Sequence, residues 1–453
     1  MRSMRRWMLS LADTPSSYRV GGIGAAVAAA NQRARRSLLR NHGGGHAPVS
    51  NLELFFDLVF VFAITQLSHF FGHHIGWLGF AEGLMLFLAL WWAWIYTTWV
   101  TNWLNPDRLP VRLMMLMLML LSLGMAIVLP KAFAGAGLGF AGCYVAMQVV
   151  RSAWVALAFR SEGAANARNM LRITVWFCLS APLWIGGALA GGTVQLALWL
   201  AALAIEYTGP FAMYRVPGLG RSSTSDWNIS GSHMAERCSL FIIIALGEGI
   251  VVTGASFAGG TLDAAHVAAL LIAFVTSALM WWLYFDLAAE RGTRLITGHA
   301  QAGRIARNAY TYLHMPIVLG IVIAAVGDAL LLEEPGGPAA LPLIAVQTGG
   351  AVLYLTGLGL FKRHANTMGN FPMSHIVAII AVAALGTAAA GAAVPALRFA
   401  ALGGVILLVT AVWEWVSYHG GWMERAERIG IRLPARISER AERRRAAVEA
   451  KRG

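Results

Sequence analysis

Twelve long apolar runs dominate this sequence, near residues 51–72, 77–100, 110–130, 138–159, 170–190, 193–213, 235–257, 264–287, 308–330, 340–361, 373–394 and 396–418. A helix needs about 20 mostly apolar residues to cross the hydrocarbon core of a bilayer. These runs are apolar on every side rather than at alternate positions. That excludes a transmembrane barrel and selects helices, which satisfy their own backbone groups in lipid. Composition agrees: 58% of the 453 residues are hydrophobic and 13% charged, where a soluble domain carries about 25% charged residues. An ordinary soluble enzyme, a disordered chain and a secreted disulfide scaffold are excluded. Cys143, Cys178 and Cys238 all lie in apolar stretches and offer no paired framework.

The net charge of +13 sits almost wholly in the tails. Residues 1–46 hold eight Arg against Asp13, and residues 424–453 hold ten Arg or Lys against five Glu. Basic flanks are what the positive-inside rule predicts for cytoplasmic ends, and no recognition fold accompanies them, so nucleic acid is not an expected partner. The expected partners are the bilayer and, through the tails, anionic inner-leaflet lipids; a homo-oligomer is left open. With the N-terminus inside, the even-numbered loops and tails collect 32 of the 35 basic residues, and the opposite face keeps Lys131 and Arg398. Gly21–Ala30 is only ten residues long and is followed by Arg33, Arg35, Arg36 and Arg40, so it does not read as a cleavable signal.

The expected fold class is an all-α membrane protein of about twelve transmembrane helices, arranged as two parallel six-helix repeats with both termini cytoplasmic. The duplication rests on matched features. Glu53-Leu-Phe-Phe-Asp57 opens the first span and Glu236-Arg-Cys-Ser-Leu240 the seventh. Trp91, Trp92, Trp94 and Tyr96 in the second are echoed by Trp281, Trp282 and Tyr284 in the eighth. Glu206 closes the sixth span and Glu414 the twelfth. An even number of spans per repeat makes the halves parallel. The organisation is then a basic tail (1–46), a first repeat (47–214), a Gly- and Ser-bearing linker (215–231), a second repeat (232–421) and a basic helical tail (422–453) carrying Ile429, Ile431, Leu433 and Ile437.

Ionisable groups inside spans are costly and are candidates for function. Glu53 and Asp57, four apart, share one face of the first span. Asp57 is read either as a cation or proton site or as a structural partner of Arg151 or of a group in the seventh span. Glu248, between Gly247 and Gly249, is the deepest acid of the seventh span and the best single candidate. Arg151 requires a partner; Asp57, Glu206, Asp286 and Glu414 share its layer, so an ion-pair network is expected there, with an internal gate or anion site as the alternative. Glu236 and Arg237 complete the pathway candidates. His314, two before Pro316, reads more readily as a satisfied core histidine than as a ligand. His69, His73 and His74 crowd the outer end of the first span without a third metal ligand nearby in sequence, so no metal is expected. Met114, Met115, Met117 and Met119 read as packing. No phosphate-cradling glycine loop occurs, and no cofactor is expected.

Asn51-Leu-Glu-Leu-Phe-Phe-Asp-Leu-Val-Phe-Val-Phe-Ala-Ile-Thr-Gln-Leu-Ser-His69 resembles the opening signature of the bacterial low temperature requirement A family. Ser232-His-Met-Ala-Glu-Arg-Cys-Ser-Leu-Phe-Ile-Ile-Ile-Ala-Leu-Gly-Glu248 is similar to its second signature. The resemblance spans roughly residues 48–420. It implies an integral membrane protein named for a growth phenotype, and so supplies no substrate, cofactor or reaction. The stretch from Phe56 is also similar to the first helix of duplicated six-helix potassium channels. It departs from them in carrying Phe55-Phe56 before the Asp where the channels have Phe-Ser, and in placing Leu240 at the corresponding position of the seventh span. The expected function is a channel or secondary transporter in the bacterial inner membrane, moving an ion, proton or small solute with intramembrane carboxylates. The alternatives are an intramembrane enzyme acting on a lipid or apolar substrate, and a membrane sensor or scaffold.

Overall fold

A computed structural model describes residues 37–40, 48–161, 164–223, 229–259, 263–286, 288–298, 302–365 and 369–418. Nearly all of the expected basic tails therefore lies outside the described residues. The helices are α1 (Asn51–His73), α2 (Trp77–Trp103), α3 (Leu109–Val128), α4 (Gly137–Ala158), α5 (Ala164–Ala190), α6 (Gly192–Thr208), α7 (Gly231–Gly259), α8 (Ala264–Phe285), α9 (Ala288–Gly298), α10 (Ala302–Ile305), α11 (His314–Glu333), α12 (Leu341–Ala365), α13 (Met373–Ala390) and α14 (Ala396–Tyr418). A π-helical turn, Ala306–Tyr312, leads from α10 into α11. Among the described residues there is no strand, only isolated bridges such as Leu39 to Leu104.

Eleven helical runs of the described residues are long and apolar enough to cross a membrane. The remaining expected span, the sixth, is α6 with 17 residues, about 26 Å of rise against a hydrocarbon core of about 30 Å. It stops at Thr208, where a span to 213 was expected. A tight turn follows, with Met213 and Tyr214 at φ 52° and 47°, and Tyr214 N–H donates to the Gly209 carbonyl at 2.9 Å. The ninth span likewise begins later as regular α-helix, at His314, because the π turn precedes it.

Helix starts follow local chemistry. Ser50 caps α1: its hydroxyl accepts from Glu53 N–H at 3.3 Å, and Glu53 Oε2 accepts from Ser50 N–H at 2.8 Å. This reciprocal pair is a capping box, which satisfies amides that the first turn leaves open. Asp263 caps α8 by accepting from His266 N–H at 2.9 Å.

Two helices form the centre of the bundle. α2 is buried without a break from Ala89 to Trp103, and α11 from Ile317 to Asp328. α2 reaches the later helices through aromatic donors. Trp91 Nε1 donates to the Thr311 carbonyl at 2.8 Å and Trp99 Nε1 to Thr311 Oγ1 at 3.1 Å. Trp92 stacks on Tyr207 with ring centroids 3.9 Å apart. α11 and α12 approach so closely that three glycines have no room for a side chain. A Cβ on Gly320 would lie 2.4 Å from Tyr354 N, one on Gly350 2.8 Å from Ala324 N, and one on Gly357 2.8 Å from Ile317 N. Small residues at such seams let helix backbones touch in lipid, where dispersion replaces the hydrophobic effect as the driving force.

This packing predicts that Gly320→Val, which forces the two backbones apart, destabilises the protein by about 1–3 kcal/mol or more. Gly247→Ala, where a Cβ meets nothing within 4 Å, leaves thermal unfolding in detergent unchanged.

Candidate functional site

α1 and α7 lie side by side and parallel, since their contacts rise together along both helices. Glu53 meets His233, Asp57 meets Arg237, and Thr65 meets Glu248. The face at which both helices start also carries the Arg-bearing loops and is called the basic face here.

The first two contacts form a clamp near that face in which every carboxylate oxygen is filled. Asp57 Oδ2 accepts from Arg237 Nη1 at 2.6 Å, and Oδ1 from Trp94 Nε1 at 2.8 Å. Arg237 Nη1 also donates to the Glu53 carbonyl at 2.8 Å. Glu53 Oε1 accepts from His233 Nε2 at 2.8 Å, and Oε2 from Arg40 Nη2 at 3.0 Å as well as from Ser50. Asn102 Nδ2 approaches His233 Nδ1 at 3.2 Å. An amide nitrogen can only donate there, so the imidazole proton sits on Nε2 and points at Glu53. Glu53, Asp57, His233 and Arg237 are all 0% exposed. Both oxygens of each acid are taken, so this cluster holds charge in place rather than offering an open ligand site. Arg237 Nε and Nη2 have no hydrogen-bond partner among the described residues, and the guanidinium lies over the Trp94 ring at 5.7 Å. Glu236 is half-buried and takes no part in these two pairs.

Glu248 differs. It is 2% exposed, and Thr65 Oγ1 donates to its Oε2 at 2.5 Å. Its Oε1 is buried with no partner among the described residues. Thr65 lies fourteen residues into α1, about 21 Å of rise, past the middle of a ~30 Å hydrocarbon core. Of the flanking glycines, Gly249 permits close approach: a Cβ there would meet Ala325 Cβ at 3.4 Å.

Arg151 is 0% exposed and makes no ion pair among the described residues; the expected network of acids around it is replaced by neutral groups. Nη1 donates to the Ala93 carbonyl at 3.2 Å and to Thr97 Oγ1 at 3.1 Å, and Nη2 to Gln148 Oε1. Tyr96 and Phe177 cover the guanidinium at 5.4 and 5.9 Å. A relay continues from it: Gln148 Nε2 donates to Tyr144 Oη at 2.9 Å, and Tyr144 donates to Glu206 Oε2 at 2.5 Å. Ser180 and Trp184 donate to Glu206 Oε1 at 2.6 and 2.9 Å. Glu414 is met differently, by Lys362, by His375 Nε2 at 3.0 Å and by Ser374 Oγ at 3.1 Å. Each of these buried acids, on α6 and α14, thus draws its donors from the two long helices before its own.

The remaining candidates are placed as follows. His314 Nδ1 donates to the Ala309 carbonyl at 2.9 Å and Nε2 accepts from Tyr284 Oη at 2.8 Å, a satisfied core histidine. Asp286 is half-buried at the end of α8. His69, His73 and His74 are exposed, and the last two contact helix carbonyls of α1. No group of three or more metal-ligating side chains occurs among the described residues. Sequence reasoning missed Trp94, Lys362, His375 and Asp328. A tenth span ending at 361 puts Lys362 in a loop, yet it is 8% exposed within the last turn of α12. Asp328 satisfied the same criterion as Glu248, an acid inside a span.

Between α2, α4, α5 and the α10–π segment lies a cleft walled by Trp92, Tyr96, Trp99, Trp103, Arg304 and Arg307 among others.

The clamp predicts a non-additive pair. Arg237→Met strands the Asp57 charge and costs about 3–5 kcal/mol of stability. Joining it with Asp57→Leu recovers much of that loss in thermal unfolding, because no buried charge is left alone.

An uncharacterized protein of Rhizobium meliloti (strain 1021) is 40% identical over 380 residues, covering 84% of this chain and 92% of that protein. No solved structure matches the chain. The family model of the bacterial low temperature requirement A protein (LtrA) matches residues 48–412, and the chain, a multi-pass bacterial membrane protein, belongs to that family.

Proposed function

We propose that this chain is a secondary transporter or channel of the bacterial inner membrane that moves a proton or a small cation, and that Glu248 is the group it passes through. The observation that carries the reading is the uncommitted Oε1 of Glu248, buried past the middle of the bilayer. A carboxyl in lipid with one oxygen held and the other open is costly unless it takes up a positive charge. Thr65 supplies a hydroxyl that bonds the carboxyl in either protonation state.

The fixed groups around it support the same reading. Glu53–His233 and Asp57–Arg237 join residues 180 apart, and Thr65–Glu248 joins residues 183 apart. Contacts at nearly constant separation between parallel helices are what two parallel repeats give when their first helices meet near the axis relating them. In this reading the basic face is cytoplasmic, the clamp anchors one end of the α1–α7 seam, and Glu248 sits beyond it where the halves can part.

A second reading is favoured by one observation. The aromatic cleft with Arg304 and Arg307 on its walls suits an amphiphile with an anionic head, as an intramembrane enzyme or a lipid-handling protein would need. The sensor or scaffold reading rests on the tails, outside the described residues.

Reconstituted in liposomes under an imposed proton or sodium gradient, the protein is expected to carry flux above empty vesicles. Glu248→Gln lowers that flux by about tenfold or more while leaving thermal unfolding close to the parent. Flux unchanged in Glu248→Gln overturns the assignment. Absence of flux under every gradient, with a lipid co-purifying in the cleft, moves the second reading to first place.

A further inference from the structure

A second intramembrane carboxyl lies apart from the α1–α7 seam. Asp328, on α11, is 4% exposed, and no hydrogen bond or ion pair reaches it among the described residues. It lies five residues, about 8 Å of rise, before the end of α11 at Glu333, within the apolar run. It lines a small cavity of about 40 Å³ with Thr276 of α8 and Gln347 and Thr348 of α12. Thr348 Oγ1 is itself buried without a partner. Gln347 Nε2 donates to the Gly327 carbonyl at 3.5 Å, which leaves its amide oxygen uncommitted. A Cβ on Gly327 would fall 2.6 Å from Gln347 Cγ, so the bare glycine is what brings α12 this close to Asp328. Gly403 and Gly404 of α14 line the far wall and keep it open.

No other titratable or charged side chain lines the cavity from α8, α11, α12, α13 or α14 among the described residues. A lone carboxylate in this setting is unfavourable by several kcal/mol. One carboxylate, one amide carbonyl and two hydroxyls are hard oxygen donors that suit a hard cation, and a single negative charge matches a monovalent one.

We propose that Asp328, with Thr276, Gln347 and Thr348, forms a binding site for one monovalent cation, a proton or sodium, built within the second set of six helices. It is a separate station from Glu248. Gly249, beside Glu248, faces Ala325 of α11 and Ser277 of α8, while Thr276 and Asp328 look into the cavity. The α8–α11 pair therefore stands between the two carboxyls.

The test needs no transport activity. Dicyclohexylcarbodiimide adds the O–H of a protonated carboxyl across its C=N bond, and the adduct rearranges to a stable acylurea with no other reactant. The full chain in detergent micelles is treated at a series of pH values in choline chloride or sodium chloride, and Asp328 and Glu248 are read on separate peptides by mass spectrometry. The proposal expects label on Asp328 that falls about tenfold for each pH unit once the carboxyl ionises. Protection by sodium but not choline identifies the alkali cation, and Thr348→Val then weakens that protection. Dependence on pH alone identifies the proton. No label on Asp328 at any pH, or label indifferent to both pH and sodium, overturns the site. Because Glu248 is scored independently, failure at one carboxyl does not carry over to the other.

Discussion

The placement of the α1–α7 seam depends on one desolvated ion pair, Asp57 with Arg237. A charge buried in lipid cannot be left alone. Arg237 therefore fixes where α7 stands relative to α1, and with Trp94 it ties α2 to the same point. Glu53 extends the arrangement to His233, Arg40 and the α1 cap. Net stabilisation by such a pair is modest against well-packed apolar groups. Its effect is on register, because any slip of α7 against α1 separates two buried opposite charges. With the register set there, Glu248 and Thr65 meet further along the same two helices, and an open carboxylate oxygen is held at a defined depth.

The bundle divides labour among its buried acids. Glu53, Asp57 and Glu414 are matched by cationic or histidine partners, and Glu206 by three neutral donors and a relay to Arg151. Glu248 and Asp328 alone among these six retain unfilled capacity. Groups whose bonds are filled resist movement, and groups with an open oxygen respond to a positive charge that arrives. That contrast separates the acids that organise the helices from those placed to act.

Much of the fold was legible because lipid imposes one strong rule, that spanning backbone be helical and its surface apolar. The apolar runs locate the helices to within a few residues except where local geometry intervenes, as at the Gly209–Tyr214 turn and the Ala306–Tyr312 π segment. The spacing of Glu53 and Asp57 revealed a shared face. It allowed a group of the seventh span as partner of Asp57, but did not reveal that Arg237 rather than Arg151 is chosen or that His233 meets Glu53, because partner choice is a tertiary property. Arg151 shows the same limit: the sequence demanded compensation for its charge, and the structure supplies it with a carbonyl, a hydroxyl, an amide and two rings. Asp328 was legible by the rule that singled out Glu248 but was lost within a long apolar run. Lys362 falls just past the apolar run that ends at 361, and its place one turn from a helix end hides how far its side chain reaches inward.

The account turns on whether Glu248 changes its charge while Asp57 does not. Infrared difference spectroscopy of the lipid-reconstituted protein, stepped in pH, reads the protonated-carboxyl stretch directly. The account predicts a band in that region that disappears in Glu248→Gln and no band assignable to the Arg237-bound Asp57. A difference spectrum identical in the parent and Glu248→Gln would contradict it.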